Sequence, residues 1–196
     1  MRDVWYADNR DLIKWGVLFR LAEKFEAARI IQIVYFRPST FGQIEIDGQQ
    51  VTIPEEVIAH FRNVRAVSSI DSHVRVSVFD PPFQSRQCYL QSILALLPAY
   101  AGERCVVLLD PDTGLEPQTP NLEHVLETEV NAIWSSMKPG DVFVFYQHQT
   151  NRAGQPWIPQ KHAQLALALG VPQTSVKIAN GEAIARDVVF YFIQKP

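Results

Sequence analysis

The stretch "VVLLDPDTGLEP" at positions 106–117 runs an apolar segment into two carboxylates one residue apart, Asp110 and Asp112. Acids set so close suit binding of a hydrated cation, reception of a protonated group, or acid–base work in which one carboxyl raises the pKa of the other. Pro111 fixes a bend there, and Gly114 permits a positive φ. The competing reading is a turn whose side chains cap backbone amides, including the start of a helix near Asn121.

A second apolar run ends in "FYQHQTNR" at 145–152, delivering Gln147, His148 and Gln149 together. His148 has the chemistry of a general base, a metal ligand or a donor to a substrate anion, or it is a surface histidine in a polar loop. Asp110, Asp112 and His148 are therefore the candidate catalytic residues, and the same three are the candidate metal ligands. Glu116 is the available further acid. The other histidines read as structural: His60, His124 and His162 fall in helix patterns and His73 in a loop.

The candidate substrate-binding residues are Asn9, Arg10, Lys14, Arg37 and Gln147. Asp8 or Asn9 can cap a helix start, and Asp11 favours its dipole. Arg10 and Lys14, four apart, share a helix face and either hold a phosphate or carboxylate or stand as solvated cations. Arg37, where the first strand ends, is a further anion ligand.

The elements that position these groups alternate along the chain. "DNRDLIKWGVLFRLAEKF" spaces Ile13, Val17 and Leu21 as one apolar helix face, with Leu18, Ala22 and Phe25 beside it. "IIQIVYF" at 30–36 reads as a buried strand ending before Arg37-Pro38. "QIEIDGQQVTI" carries the Asp-Gly hairpin signal, so 39–53 reads as a hairpin insertion, and "PEEVIAHFR" opens a helix. Then come strand "VRVSVF", helix "SRQCYLQSILALLPAY", strand "CVVLLD", helix "NLEHVLETEVNAIWSSM", strand "DVFVFYQ" and helix "PQKHAQLALALG". The end, "TSVKIANGEAIARDVVFYFIQ", gives two strands joined by a short link, so the last runs antiparallel to its partner. The expected fold is α/β: a doubly wound, mostly parallel sheet with helices on both faces and right-handed crossovers. Residues 1–196 are read as one domain.

Composition limits the partners. With 196 residues, 47% hydrophobic content and a formal net charge of −3, the chain can bury a sizeable core and has no global positive field for nucleic acid or anionic lipid. The amino end lacks the apolar core of a signal peptide, and no apolar run approaches the ~18 residues of a membrane span. A cytoplasmic location and no membrane partner are expected. Cys88 and Cys105 lie in apolar helix and strand patterns and read as core thiols rather than a disulfide or zinc pair.

A parallel sheet closed by an antiparallel strand resembles the class I S-adenosylmethionine-dependent methyltransferase architecture, over residues 9 to 195. The resemblance implies a Rossmann-like fold, S-adenosylmethionine as cofactor and a glycine-rich loop after the first strand, where glycines let the backbone approach the ligand. Here that place reads "IVYFRPSTFG", with Arg37-Pro38 where the family has glycines. The "DNRDLIKW" start, the "LDPDTGLEP" centre and the "YQH" strand end are similar to a group of uncharacterised bacterial proteins, a resemblance that implies no activity.

"FDPPF" at 79–83 resembles the Asp-Pro-Pro-aromatic loop of amino-methyltransferases acting on DNA bases, which follows the fourth strand and presents oxygens to an exocyclic amine. Counted back from the terminal hairpin, "CVVLLD" is strand four and "DVFVFYQ" strand five, which puts Asp80 after strand three; the alternative is a rigid turn before a helix. Asp110 then stands at the strand-four exit, where open parallel sheets bind ligands, with His148 at the next exit. Three function classes follow. They are a methyltransferase-like enzyme acting on a small molecule or nucleic acid, a divalent-metal-dependent phosphoester hydrolase, and a non-catalytic Rossmann-like binding module.

Overall fold

The structure, a computed structural model, describes residues 8–38, 42–70, 73–150 and 156–196. Along the chain lie α1 (Asn9–Lys24), β1 (Arg29–Ile33), β2 (Gln43–Ile46), β3 (Gln49–Thr52), α2 (Glu55–Phe61), β4 (Arg75–Phe79) and α3 (Arg86–Leu96). They are followed by β5 (Cys105–Leu109), β6 (Gly114–Leu115), β7 (His124–Val125), α4 (Glu127–Ser136), β8 (Val142–His148), α5 (Trp157–Leu169), β9 (Lys177–Gly181) and β10 (Ala185–Gln194).

Six strands form the main sheet in the order β4-β1-β5-β8-β10-β9. β4, β1, β5 and β8 are parallel neighbours, while β10 runs antiparallel to both β8 and β9. The chain is thus an α/β protein with a mostly parallel sheet closed by an antiparallel strand. Because β1 connects outward to β4 and the next strand, β5, returns to its other side, the winding reverses between β1 and β5. That reversal opens a crevice beyond the carboxyl ends of those two strands.

Alternation along each strand divides the core into two layers, since successive side chains face opposite sides of a sheet. Ile31, Val107, Phe143, Phe145 and Tyr191 pack with α3, α4 and α5 on one face. Ile30, Val106, Leu108, Val144 and Phe190 pack with Ile13, Leu18 and Leu21 of α1 on the other. Helices therefore cover both faces. Among the described residues, no helix is long and apolar enough to cross a membrane.

The start of α1 is fixed by Asp8, in extended backbone, whose Oδ1 accepts the N–H groups of Arg10 and Asp11 at 2.8 and 3.1 Å. The side chain satisfies donors that an α-helix leaves unpaired at its first turn.

Several expectations need correction. The β2–β3 hairpin, turning at Asp47 (φ 51°) and Gly48 (φ 77°), forms its own two-stranded sheet, so β5 and β8 are the third and fourth strands of the main sheet in chain order, and Asp80 follows the second. The helix expected from Asn121 begins only at Glu127: His124 and Val125 instead pair with Gly114 and Leu115, which puts His124 in a short strand. Glu129, three residues after Leu126, accepts the Leu126 N–H at 2.8 Å and fixes the later start. Cys105 is buried, but Cys88 is exposed rather than a core thiol.

Candidate functional site

A cavity of about 430 Å³ opens at the carboxyl edge of the sheet, on the α1 side. Asp110, Asp112, His148, Arg10 and Lys14 all line it, together with Asp8, Asp11, Thr113, Glu123, Tyr146, Gln149 and Asp187. Strand register explains the convergence of Asp110 and His148. Leu108 pairs with Val144 and Leu109 with Phe145, so continuing the register sets Asp110 level with Tyr146 and leaves His148 two residues beyond, on the same face.

At the base of the cavity lies a buried charge cluster. Lys14 Nζ donates to Asp11 Oδ1 at 2.6 Å and to Asp110 Oδ2 at 2.9 Å, and the Gln32 amide donates to the same Asp110 oxygen at 2.7 Å. Lys14 is 3% exposed, which overturns its reading as a solvated cation. Burial alone would lower the Lys14 pKa, but Asp110 and Asp11 outweigh it and hold the ammonium well above its ordinary value. Burial pushes the Asp110 carboxyl up, with Lys14 opposing the shift. The rise comes from desolvation rather than from Asp112, the cause expected from the spacing. Lys14 also lies 5.5 Å from the Tyr146 ring centroid, within cation–π range.

At the rim, Arg10 spans Asp8 and Asp187: its Nε is 3.3 Å from Asp187 Oδ1, its NH1 is 2.9 Å from Asp8 Oδ2, and its NH2 meets Asp187 Oδ2. His148 Nε2 is 3.2 Å from Asp187 Oδ2 and Nδ1 is 3.1 Å from the Gln149 carbonyl. Both partners are acceptors, so a ring bearing one proton satisfies only one of them. Asp110 and His148 share the cavity, each held by other groups: Asp110 by Lys14 and Gln32, His148 by Asp187 and the Gln149 carbonyl.

The remaining candidates lie elsewhere or serve the scaffold. Asn9 is exposed and does not line the cavity. Arg37 donates through Nε to Asp112 at 2.8 Å and through NH2 to Asp112 and Glu123, tying the exit of β1 to the loop after β5. Gln147 faces the other layer: its Oε1 accepts Leu115 N–H at 2.9 Å and its amide donates to Thr113 and His148 carbonyls. It is a strut for the β6 loop. Gly114 makes room for it, since a Cβ there, at φ +136°, would fall 2.3 Å from the Gln147 amide nitrogen.

Asp80 is likewise outside the cavity, paired through both oxygens with Arg65 at 2.7 and 2.8 Å, while Phe83 is buried. Glu116, the spare acid, accepts the Glu127 N–H at 2.6 Å and serves the start of α4. Sequence reasoning missed Asp187, Tyr146 and Gln32. Two had legible signals: Gln32 is the polar residue inside an apolar strand, and an antiparallel last strand must begin at the same edge at which β8 ends.

No group of three His, Cys, Asp or Glu that could hold a metal ion occurs among the described residues, and the two central carboxylates already face Lys14 and Arg37. For S-adenosylmethionine, the loop after β1 has no glycine from Val34 to Pro38. Val34 and Tyr35 are buried, and their N–H groups are taken by the Phe79 carbonyl and the Tyr89 hydroxyl. Tyr35, Phe83 and Tyr89 pack at ring-centroid separations of 4.9–5.2 Å where the resemblance implies an open cradle. These residues do not fit the glycine-cradled mode of binding that cofactor.

A doubly wound sheet with an antiparallel closing strand and a polar cavity at its carboxyl edge defines a Rossmann-like protein of methyltransferase-like architecture. No protein-family model matches the sequence, and no curated protein matches it. Solved structures similar to the chain include a putative methyltransferase from Thermobifida fusca, at 13% identity over 96% of this chain and 80% of that one, with a TM-score of 0.47. Another is human methyltransferase-like protein 13 in complex with SAH, at 12% identity over 96% and 82%, with a TM-score of 0.45. A DUF574 family protein from Streptomyces avermitilis is similar at 10% identity over 96% and 82%, with a TM-score of 0.48.

Proposed function

We propose that this chain is a ligand-binding protein of methyltransferase-like architecture whose working site is the cavity at the carboxyl ends of β5 and β8. The observation that carries this reading is the convergence of Asp110 and His148, from neighbouring parallel strands, on one cavity also lined by Lys14 of α1. Its volume suits a small molecule. The internal ion pairs preorganise the walls, which suits recognition of a bound molecule. A phosphoester hydrolase would need the carboxylates that Lys14 and Arg37 occupy.

A second reading, S-adenosylmethionine-dependent methyl transfer, is favoured by the position of Asp110 beside the crevice where the winding reverses between β1 and β5. It requires the cofactor to bind without a glycine cradle.

A thermal-shift screen of metabolites that includes S-adenosylmethionine, S-adenosylhomocysteine, magnesium and manganese tests both, because a ligand that binds only the folded state raises the midpoint by mass action. The first reading expects a small molecule to raise it and Asp110→Asn to reduce that rise. A response confined to the two adenosyl compounds would replace it with the second. Metal as the sole stabiliser, or ligand responses unchanged in Asp110→Asn, would overturn both.

A further inference from the structure

The edge of the main sheet opposite the cavity carries a cation at the end of every strand. Arg29 of β1 pairs in register with Arg75 of β4 and with Cys105 of β5, which Arg104 precedes. The Val106–Val142 register brings the start of β8 next in line, with Lys138 just ahead of it. Lys195, just past β10, exchanges backbone hydrogen bonds with Gly140 and Asp141, and Lys177 opens β9 opposite Phe192. Neighbouring strands lie about 4.8 Å apart, so the row runs for about 24 Å. Lys24, at the end of α1, adjoins it, with Nζ 5.9 Å from the Phe192 ring centroid.

Among the described residues these cations outnumber the acids at the same edge. Arg29 and Arg75 share the one carboxylate of Glu103, Lys138 pairs with Asp141, and Arg104 faces Glu26 at 3.6 Å, a carboxylate that is 87% exposed. Lys177 and Lys195 donate to the Thr174 and Trp134 carbonyls, and Lys24 lies over the Phe25 and Phe192 rings, so none of the three is neutralised by an acid. The exposed pair Arg20 and Glu23 cancels, and the terminal carboxylate of Pro196 offsets one charge more. A positive excess remains on a chain whose formal net charge is −3. Helix dipoles account for Lys24 and Lys138, which stand at or just past helix ends, but not for the cations carried by strands.

We propose that this edge is a docking surface for a single strand of nucleic acid, held through its phosphates and independent of the cavity at the other end of the sheet. Arginine forks match phosphate oxygens, and cations in single file suit a linear polyanion better than a plane of lipid headgroups. Two of the heads are held in advance over aromatic rings, Arg29 at 4.9 Å from the Tyr100 centroid and Lys195 at 4.0 Å from that of Trp134, which lowers the cost of ordering them on binding.

Fluorescence anisotropy of a labelled oligothymidylate about 20 nucleotides long, titrated with the full chain, tests this against polyglutamate and phosphatidylserine vesicles. The oligonucleotide is expected to bind at low salt, and the logarithm of its affinity to fall by about 0.7 for each phosphate neutralised per tenfold rise in salt. Joint replacement by Arg75→Ala, Arg104→Ala and Lys177→Ala, all at exposed positions, is expected to weaken binding about tenfold or more and to flatten the salt dependence. Arg186→Ala, exposed at the start of β10 on the opposite edge, is expected to bind as the wild type does. Failure of the oligonucleotide to bind, undiminished binding by the triple variant, or an equal loss in Arg186→Ala would overturn the docking surface. Polyglutamate or vesicles bound as tightly as the oligonucleotide would overturn the assignment to nucleic acid.

Discussion

Lys14 Nζ stands 2.9 Å from Asp110 Oδ2, with the two side chains 4% and 2% exposed, so the centre of the site is a salt bridge inside the core. Such a pair need not stabilise the fold relative to apolar residues, but breaking it strands a charge. The pair therefore couples the site to stability.

Lys14→Met leaves Asp11 and Asp110 buried without their shared cation, and is expected to cost about 3–5 kcal/mol in urea unfolding. Asp110→Asn leaves Lys14 with Asp11 and is expected to cost less. The two losses should not add in the double variant, because the residues share one network.

Alkaline unfolding checks the sign of the Lys14 shift. Its pKa is raised in the folded protein, so its contribution is complete below the unfolded lysine value of about 10.4 and is lost as pH rises through the higher folded value. Urea midpoints from pH 8 upward should fall more steeply in the wild type than in Lys14→Met.

Asp187 acts at the acid end. Burial would raise its carboxyl, but Arg10 and His148 more than reverse this and hold it below its ordinary value. Its contribution is present above the unfolded aspartate value of about 3.9 and is lost as pH falls through the lower folded value. Asp187→Asn should remove that part of the acid destabilisation, an effect of about 1 kcal/mol for a partly exposed pair, read by denaturant unfolding between pH 2 and 6.

Gly114→Ala would drive a methyl group into the Gln147 amide from a backbone conformation that favours glycine. A loss of about 2 kcal/mol or more is expected, visible as a lower thermal midpoint. Because Gln147 supports Thr113 and Leu115, the same variant should disturb the amide resonances of the β6 loop.

The two cysteines should titrate separately with a thiol reagent. Cys88 is exposed and should react at once in the native protein. Cys105 is buried, and burial raises its thiol to about 11, so it should react only on unfolding. Simultaneous reaction would contradict the burial of β5.

Much of the fold was legible because periodicity reports burial. The apolar strands "CVVLL" and "DVFVFY", the helix face through Ile13, Leu18 and Leu21, and the antiparallel closing strand all follow from which residues must leave water. Charge pairing was less legible, since Lys14 and Asp110 are 96 residues apart and only the packing of α1 on the sheet brings them together. Gln147 illustrates a signal that was present and unused. Strict alternation from His148 places it on the opposite face, so the two could not both enter the cavity.

β10 begins at the edge where β8 ends, which brings Asp187 to Arg10 across 177 residues of sequence. A nascent chain that has emerged only through β8 already holds Asp110 and His148, yet it lacks Asp187, which holds Arg10 and His148. The cavity wall is thus complete only once β10 is in place, and a proteolytic nick ahead of Ala185 would leave most of the scaffold standing around a breached pocket.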